Sequence, residues 1–171
     1  RTPTPIDSVK GVLPNGILLV KRDDLTGSTL SGNKIRKLEF LFREAKDSGK
    51  STVLTCGGIQ SNHCRATAVA AAQLGMKCIL FLRTENPPSS DEAATGNLKI
   101  ARAVGADIRF VSPEEYIDRT SIMNEAAGNE GYVIPEGGSN PLGSWGYIRA
   151  VDEMIEQWEI PPSSIVVATG S

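Results

Sequence analysis

Apolar and polar residues alternate along this chain in blocks whose spacing predicts a repeated succession of strands and helices. Short apolar runs bounded by turn residues predict strands at residues 17–22, 52–56, 77–82, 106–111, 132–134 and 164–168. Apolar residues at helical spacing, together with capping and breaking residues, predict helices at about residues 35–45, 65–74, 91–104, from 113 onward, and at 145–158.

An N-cap residue, a capping box and glycines beyond the last turn predict where individual helices begin and end. Asp91 is a candidate N-cap, and residues 112–115 (SPEE) combine a capping box with Pro113 at the first helical position. Gly49 and Gly75 lie just beyond the last apolar residue of their helices, where a left-handed glycine ends a helix.

Strands that alternate with helices through short links are typical of a parallel sheet covered on both faces. We therefore predict an α/β fold with three αβα layers and open, mostly parallel, twisted sheets. Such sheets bind ligands in the loops beyond the carboxyl ends of their strands. Four loops of this chain carry unusual chemistry.

Composition and charge narrow the classes of function. The 171 residues carry 18 Lys and Arg against 20 Asp and Glu, and this weakly acidic balance offers no basic surface for nucleic acid. No apolar run reaches the roughly 18–20 residues needed to span a bilayer. Three cysteines and a single histidine indicate neither a disulfide framework nor a zinc site, and the odd cysteine count suits a reducing compartment.

The first unusual loop leads into a helix whose first turn is basic. Lys34, Arg36 and Lys37 lie where the helix dipole disfavours each cation by about 0.3–1 kcal/mol, and Ser31 or Asn33 can cap the helix. An anion such as a phosphate would relieve this conflict. A lysine in such a turn should also have a lowered pKa, which favours the free amine that a Schiff base needs. The alternative is a solvated basic turn.

The second loop, GGIQSNH at residues 57–63, connects a predicted strand to an Ala-rich helix. Two glycines allow the backbone to approach a ligand closely, and the amides that follow suit a carboxylate. Ser61 could carry a proton or act as a nucleophile, and Asn62 could bond a ring hydroxyl or a carboxylate. The alternative is an ordinary turn in which Ser61 or Asn62 caps the helix and His63 bonds to the backbone.

Two further glycine loops follow. The segment EGGSN at residues 136–140 has the residues of a ligand-binding turn, or alternatively of a tight connection. The chain ends in IVVATGS (165–171), a predicted strand that runs into the start of an anion-cradling loop. Neither a dinucleotide fingerprint nor a P-loop is found.

Three motifs together resemble one enzyme family. The segments SGNKIRKLE (31–39), GGIQSNHCR (57–65) and EGGSNPLG (136–143) are similar to those of the D-cysteine desulfhydrase and 1-aminocyclopropane-1-carboxylate deaminase family. The resemblance covers essentially the whole chain. It implies pyridoxal 5′-phosphate as cofactor and the tryptophan synthase β-like fold, called fold type II, of which this chain would be the amino-terminal portion.

The resemblance also implies roles for individual residues. Lys34 matches the Schiff-base lysine, Lys37 a lysine that contacts the cofactor phosphate, and Asn62 the asparagine that bonds the 3′ oxygen of the cofactor. Ser61 matches a serine beside the reacting centre.

Two backbone segments also match. The backbone of Gln60, Ser61, Asn62 and His63 matches the loop that binds the substrate carboxylate. The residues that match the start of the phosphate loop are Thr169, Gly170 and Ser171.

By the same resemblance, the expected activity is that of a lyase or deaminase of a small amino acid. Lys34 and Ser61 are the expected catalytic residues. The first expectation is conversion of D-cysteine to pyruvate, sulfide and ammonia, and the second is conversion of 1-aminocyclopropane-1-carboxylate to 2-oxobutanoate and ammonia. A non-catalytic anion-binding α/β module and an inactive chain are the alternatives.

The resemblance predicts how the chain is organised. Residues 1–37 and 146–171 are expected to belong to a large cofactor-binding domain, and residues 38–145 to form a small α/β domain. Family members continue beyond the phosphate loop, so the isolated 171 residues are expected to be inactive. The full-length protein is expected to be a homodimer without nucleic-acid or membrane partners. Its expected location is the cytoplasm, or the mitochondrion if a leader has been removed.

Overall fold

The computed structural model describes residues 2–14, 16–27, 29–90 and 92–167. In this part of the chain there are six strands and five α-helices, and from α1 onward the two kinds of element alternate. The strands are β1 (Ile6–Val9), β2 (Leu18–Lys21), β3 (Thr52–Gly58), β4 (Lys77–Arg83), β5 (Asp107–Val111) and β6 (Gly131–Val133). The helices are α1 (Lys34–Asp47), α2 (Asn62–Gln73), α3 (Gly96–Ala103), α4 (Arg119–Ala127) and α5 (Pro141–Gln157).

Four strands form a parallel sheet in the order β5-β4-β3-β6. Strand β3 lies in its interior, where Thr52 is opposite Lys77 of β4 on one side and Gly131 of β6 on the other. The two remaining strands, β1 and β2, pair antiparallel as a separate ribbon. The parallel sheet confirms the α/β prediction, whereas the apolar pattern had not indicated β1.

Side chains of the parallel sheet point alternately to its two faces, and helices cover both. Val53 packs with apolar residues of α1, α2 and α3. The next residue, Leu54, packs on the opposite side with Tyr116 and Met123, which precede and belong to α4. This arrangement confirms the three αβα layers.

The packing of helix α2 fixes the position of the second motif, residues 57–65. Its alanines are small enough to lie against the sheet and α1 together, and residues 66–71 are all buried. Ser61 caps its first turn, and Gly75 follows its end with φ +69°. The helix therefore begins where β3 ends.

Two of the predicted helix starts need revision. Helix α3 begins at Gly96 after an extended Thr95, instead of at residues 91–92, because the preceding segment forms turns. Asp91 itself lies outside the described residues. The capping box of residues 112–115 is confirmed by both of its hydrogen bonds, but it opens a 3₁₀ helix, Glu115–Asp118, before α4 begins.

The predicted last strand is wrong for the residues that the structure describes. Residues 164–167 form no strand, and Val166 is 95% exposed because no neighbouring strand lies beside it. Ala168 lies outside the described residues.

Helix α5 is confirmed, but its apolar stripe does not face the core. Trp145, Ile148 and Ile155 are exposed, whereas Gly146 and Ala150 are buried. Helix α5 packs on α1, and a Cβ at Gly146 would lie 2.4 Å from the backbone carbonyl of Arg36. Small residues, not large apolar ones, therefore set this contact. No helix among the described residues is long and apolar enough to cross a bilayer.

Candidate functional site

The three sequence motifs lie together in the structure. Helix α1 contacts α2, and both contact the 3₁₀ helix Glu136–Gly138, which also contacts β3. Arg65 in the first turn of α2 donates a hydrogen bond of 3.0 Å from Nη2 to the carbonyl oxygen of Ser31, just before α1. The starts of two helices and a glycine turn thus surround the carboxyl end of β3, as expected for a parallel sheet.

Lys34 and Lys37 occupy the first turn of α1 and differ in their partners. Lys37 Nζ donates to the carbonyl oxygen of Gly137 at 3.2 Å and to Ser139 Oγ at 3.1 Å. Burial and then the neighbouring Lys34 charge lower the pKa of Lys37. Lys34 Nζ has no hydrogen bond or ion pair with any residue that the structure describes. The amine of Lys34 is therefore the unpaired member of the two.

The start of α1 has no side-chain cap, so the expectation that Ser31 or Asn33 caps it is wrong. Asn33 has helical backbone angles, which direct its side chain away from the first-turn amides. Its Nδ2 donates instead to the Tyr147 hydroxyl at 2.6 Å. The first turn contains no acidic residue, so it combines unneutralised amide dipoles with two lysines.

Arg36 does not belong to a solvated basic turn. It is 4% exposed and pairs with Asp23 at 2.8 Å and with Glu153 at 3.0 Å. Burial alone would raise the pKa of Glu153, but hydrogen bonds from Arg36 and Lys21 lower it to about 2. These ion pairs neutralise Arg36 on the side of α1 that faces α5.

The loop predicted at residues 57–63 is shorter in the structure. Gly57 and Gly58 are the last residues of β3, and Ser61 N donates to the Gly58 carbonyl at 2.9 Å to close the turn. A Cβ at Gly57 would lie 2.8 Å from both Ser61 Oγ and Cys64 Sγ. Gly57 is therefore needed so that the start of α2 can lie directly against the strand end.

Ser61 caps α2, which decides between the two predicted caps. Its Oγ accepts a hydrogen bond of 3.2 Å from Cys64 N, a contact that does not use the hydroxyl proton. The N–H groups of Gln60, Asn62 and His63 have no acceptor among the described residues. These amides lie at the positive end of α2, where a carboxylate is favoured.

His63 is buried, and its side chain does not bond to the backbone as the alternative interpretation expected. Nε2 shares a hydrogen bond of 2.9 Å with Thr55 Oγ1, and Nδ1 has no partner among the described residues. Burial, followed by the charges of Lys34 and Lys37, lowers the pKa of His63 to about 3. The imidazole is therefore neutral at physiological pH.

The structure adds one residue to the site, Asn97 in the first turn of α3. Its Nδ2 lies 2.8 Å from the carbonyl oxygen of Gln60 and 2.8 Å from Asn62 Oδ1. Its backbone N–H donates to Gln60 Oε1 at 2.8 Å. Sequence reasoning missed Asn97 because it is far from residues 60–62 along the chain and is followed by no recognisable motif. Thr169, Gly170 and Ser171 lie outside the described residues.

Comparisons with known proteins agree on a family. A family model described as "Pyridoxal-phosphate dependent enzyme" matches residues 1–171. The chain is 50% identical to a bifunctional D-cysteine desulfhydrase/1-aminocyclopropane-1-carboxylate deaminase, mitochondrial, of Arabidopsis thaliana, over 99% of this chain and 46% of that protein. It is 40% identical to a D-cysteine desulfhydrase of Klebsiella pneumoniae, over 90% of this chain and 49% of that protein.

A solved structure gives the same result at the level of the fold. A crystal structure described as that of an ACC deaminase homologue superposes with a TM-score of 0.80 and is 37% identical. The superposition covers 98% of this chain and 52% of that chain. This similarity confirms the fold that the resemblance implied. The chain spans about half the length of the curated relatives that it matches.

Proposed function

The chain belongs to the pyridoxal-phosphate-dependent enzymes, and from this premise we propose that the whole protein is a lyase that acts on a small amino acid. Its proposed reaction is the cleavage of D-cysteine to pyruvate, sulfide and ammonia. The observation that carries the proposal is the Lys34 amine at the uncapped start of α1, which has no partner among the described residues. The N–H groups at the start of α2 likewise have no acceptor in this part of the chain.

The residues present fit the cofactor. Two lysines of like charge lie in one helical turn without an acidic neighbour in that turn, and Lys37 is partly desolvated. A bound phosphate would neutralise this charge, which favours Lys37 as its ligand. Lys34 would hold the cofactor covalently through Nζ, and the Asn62 amide would bond its ring oxygen.

When bound, the cofactor supplies an electron sink for carbanion chemistry. The residues of the chain contribute position and proton transfer. Amides of Gln60, Asn62 and His63 would hold the substrate carboxylate. Lys34 Nζ, once free, would move the proton at the substrate carbon. The Ser61 hydroxyl would donate its own proton, which its contact with Cys64 N does not use.

Deamination of 1-aminocyclopropane-1-carboxylate is the second candidate activity. It is supported by the Arabidopsis thaliana relative, whose name carries both activities. The same residues would serve both reactions, since each begins with an amino acid whose carboxylate is held by the start of α2. The two reactions differ in their products, which makes them separable by assay.

The experiment supplies the whole protein with pyridoxal phosphate and then with D-cysteine, L-cysteine or 1-aminocyclopropane-1-carboxylate. We expect sulfide and pyruvate in equal amounts from D-cysteine, and loss of this turnover in Lys34→Ala. The matched control is Lys46→Ala, an exposed lysine near the other end of α1, which should retain activity. Product from L-cysteine alone, or no product from any of the three, would contradict the proposal.

Two further assignments remain predictions. A homodimer of the full-length protein and a cytoplasmic location follow from the resemblance alone. Sedimentation of the whole protein and localisation of a tagged copy are the measurements that test them.

A further inference from the structure

Asn97 joins the start of α3 to the turn before α2 through three hydrogen bonds. Two of them come from its side-chain Nδ2, to Gln60 O and to Asn62 Oδ1, and the third from its backbone N–H to Gln60 Oε1. Gln60 Nε2 completes the connection by donating to the Thr95 carbonyl at 3.1 Å. Both polar ends of the Gln60 side chain are thus bonded at the start of α3.

A tight backbone approach supports this connection. Gly96, between Thr95 and Asn97, has φ +54°, and a Cβ there would lie 2.5 Å from Gln60 Oε1. Only glycine fits both the left-handed backbone and the close contact. The approach of α3 to the turn is therefore part of the local fold, and Asn97 is held in a defined position.

The hydrogen bonds determine which way each amide faces. The Gln60 carbonyl oxygen can only accept, so the Asn97 atom facing it must be the NH₂ group. The second hydrogen of the same NH₂ group points to Asn62, so Asn62 must present its oxygen to Asn97. The remaining end of the Asn62 side chain is its own NH₂ group, which is a donor.

We propose that Asn97 is a positioning residue that orients the Asn62 amide, so that Asn62 offers a hydrogen-bond donor to the bound group. The recognised atom must then be an acceptor, such as a phenolate oxygen on an aromatic ring. This inference rests on the proposed function for the identity of the ligand. The orientation itself depends only on the contacts within the chain.

The substitution Asn97→Asp tests the orientation through the cofactor. A carboxylate cannot donate to Asn62 Oδ1, so Asn62 turns its NH₂ group towards the new carboxylate and presents an oxygen to the ligand oxygen. We expect roughly tenfold weaker binding of pyridoxal phosphate and a shift of its visible absorption band. Asn124→Asp, at an exposed position on α4, is the matched control and should change neither. An unchanged spectrum and affinity in Asn97→Asp would overturn the proposal.

A double-mutant cycle separates orientation from general support of α3. Asn62→Ala, Asn97→Ala and the double variant are compared by cofactor spectrum and by thermal unfolding. If Asn97 acts through Asn62, its removal has no further effect on the spectrum once Asn62 is already alanine. Fully additive spectral effects would overturn the proposal, whatever Asn97→Ala does to the melting temperature.

A measurement without cofactor distinguishes failure of this inference from failure of the proposed function. Side-chain amide hydrogens are followed by NMR during exchange into heavy water. We expect both Asn97 side-chain hydrogens to exchange slowly and those of Asn62 to exchange fast. Protected Asn62 hydrogens would overturn the orientation, whereas absence of cofactor binding with the expected exchange pattern would overturn only the proposed function.

Discussion

Lys34 and Lys37 share one helical turn, but the structure gives them different surroundings. Lys37 is bonded to Gly137 and Ser139, and Lys34 Nζ is unpaired among the described residues. The sequence placed both in one basic turn without assigning different partners. The resemblance supplied the distinction between a covalent lysine and a phosphate lysine, which remains a prediction.

The Lys37 assignment predicts selectivity for the phosphate. Lys37→Met should weaken binding of pyridoxal phosphate about tenfold, because a charge-assisted hydrogen bond to the phosphate is lost. Binding of pyridoxal, which has no phosphate, should change little. The measurement is a pair of titrations, with the exposed Lys46→Met as control. Equal losses for both ligands would show that Lys37 acts on the fold and not on the phosphate.

His63 predicts a pH dependence of stability. Its pKa is lowered from 6.5 to about 3 by burial in the folded protein. Below pH 6.5 the unfolded chain binds a proton that the folded protein does not bind, so the free energy of unfolding falls as pH decreases towards 3. The free energy of unfolding falls by about 1.4 kcal/mol for each pH unit in this range.

Urea unfolding between about pH 4 and about pH 7 checks this prediction. His63→Gln keeps a polar side chain without the titration and should lose this part of the pH dependence. An identical slope in the wild type and in His63→Gln would contradict the prediction.

The sequence alone predicts the roles of some of these residues and not of others, and the difference has a physical cause. The role of Ser61 as a cap follows from local rules, and the structure confirms it. The burial of His63 against Thr55 depends on which side of α2 faces the sheet, which a single turn does not specify. Asn97 is brought to the site only by the packing of α3 on α2.

At the scale of elements, a group of ion pairs connects α1, α5 and the segment after β2. Arg36 is buried between Asp23 and Glu153, and Lys21 of β2 also contacts Glu153. This group holds the turn that carries Lys34 and Lys37 against the rest of the chain. It was not predicted, because its members are distant in the sequence.

Arg36→Met should destabilise the protein by about 3 kcal/mol, since two carboxylates of low exposure lose their common partner. Arg43→Met on the same helix removes an exposed pair with Asp47 and should have little effect. Denaturant unfolding measures both. If the two substitutions had equal effects, Arg36 would not connect these elements.

The helices show where patterns succeed and fail. The sheet strands and α2 follow from apolar runs and glycine positions, because local propensity and burial agree there. The stripe of α5 indicated the helix but not its packing face, since Gly146 and Ala150 approach α1 more closely than Trp145 or Ile148 could. The spacing of apolar residues shows that one face of a helix is apolar, but it does not show which element packs against that face.

At the scale of the whole molecule, the parallel sheet holds the candidate site at one edge. Strand β3 lies between β4 and β6, and it contacts α2 and the turn at residues 136–138, both of which contact α1. The parallel sheet, with ligand loops beyond the carboxyl ends of its strands, was predicted from the order of elements, whereas the order of the strands was not. The division into a small domain of residues 38–145 and a larger one remains a prediction.

If Lys34 holds pyridoxal phosphate covalently, as we propose, reduction with borohydride should fix the cofactor to this residue. The protein is incubated with the cofactor, reduced with borohydride and digested, and the labelled peptide is identified by mass spectrometry. We predict a label on Lys34, a visible band that borohydride removes, and neither in Lys34→Ala, with Lys46→Ala unchanged. A label on another lysine, or the same band in Lys34→Ala, would contradict the account.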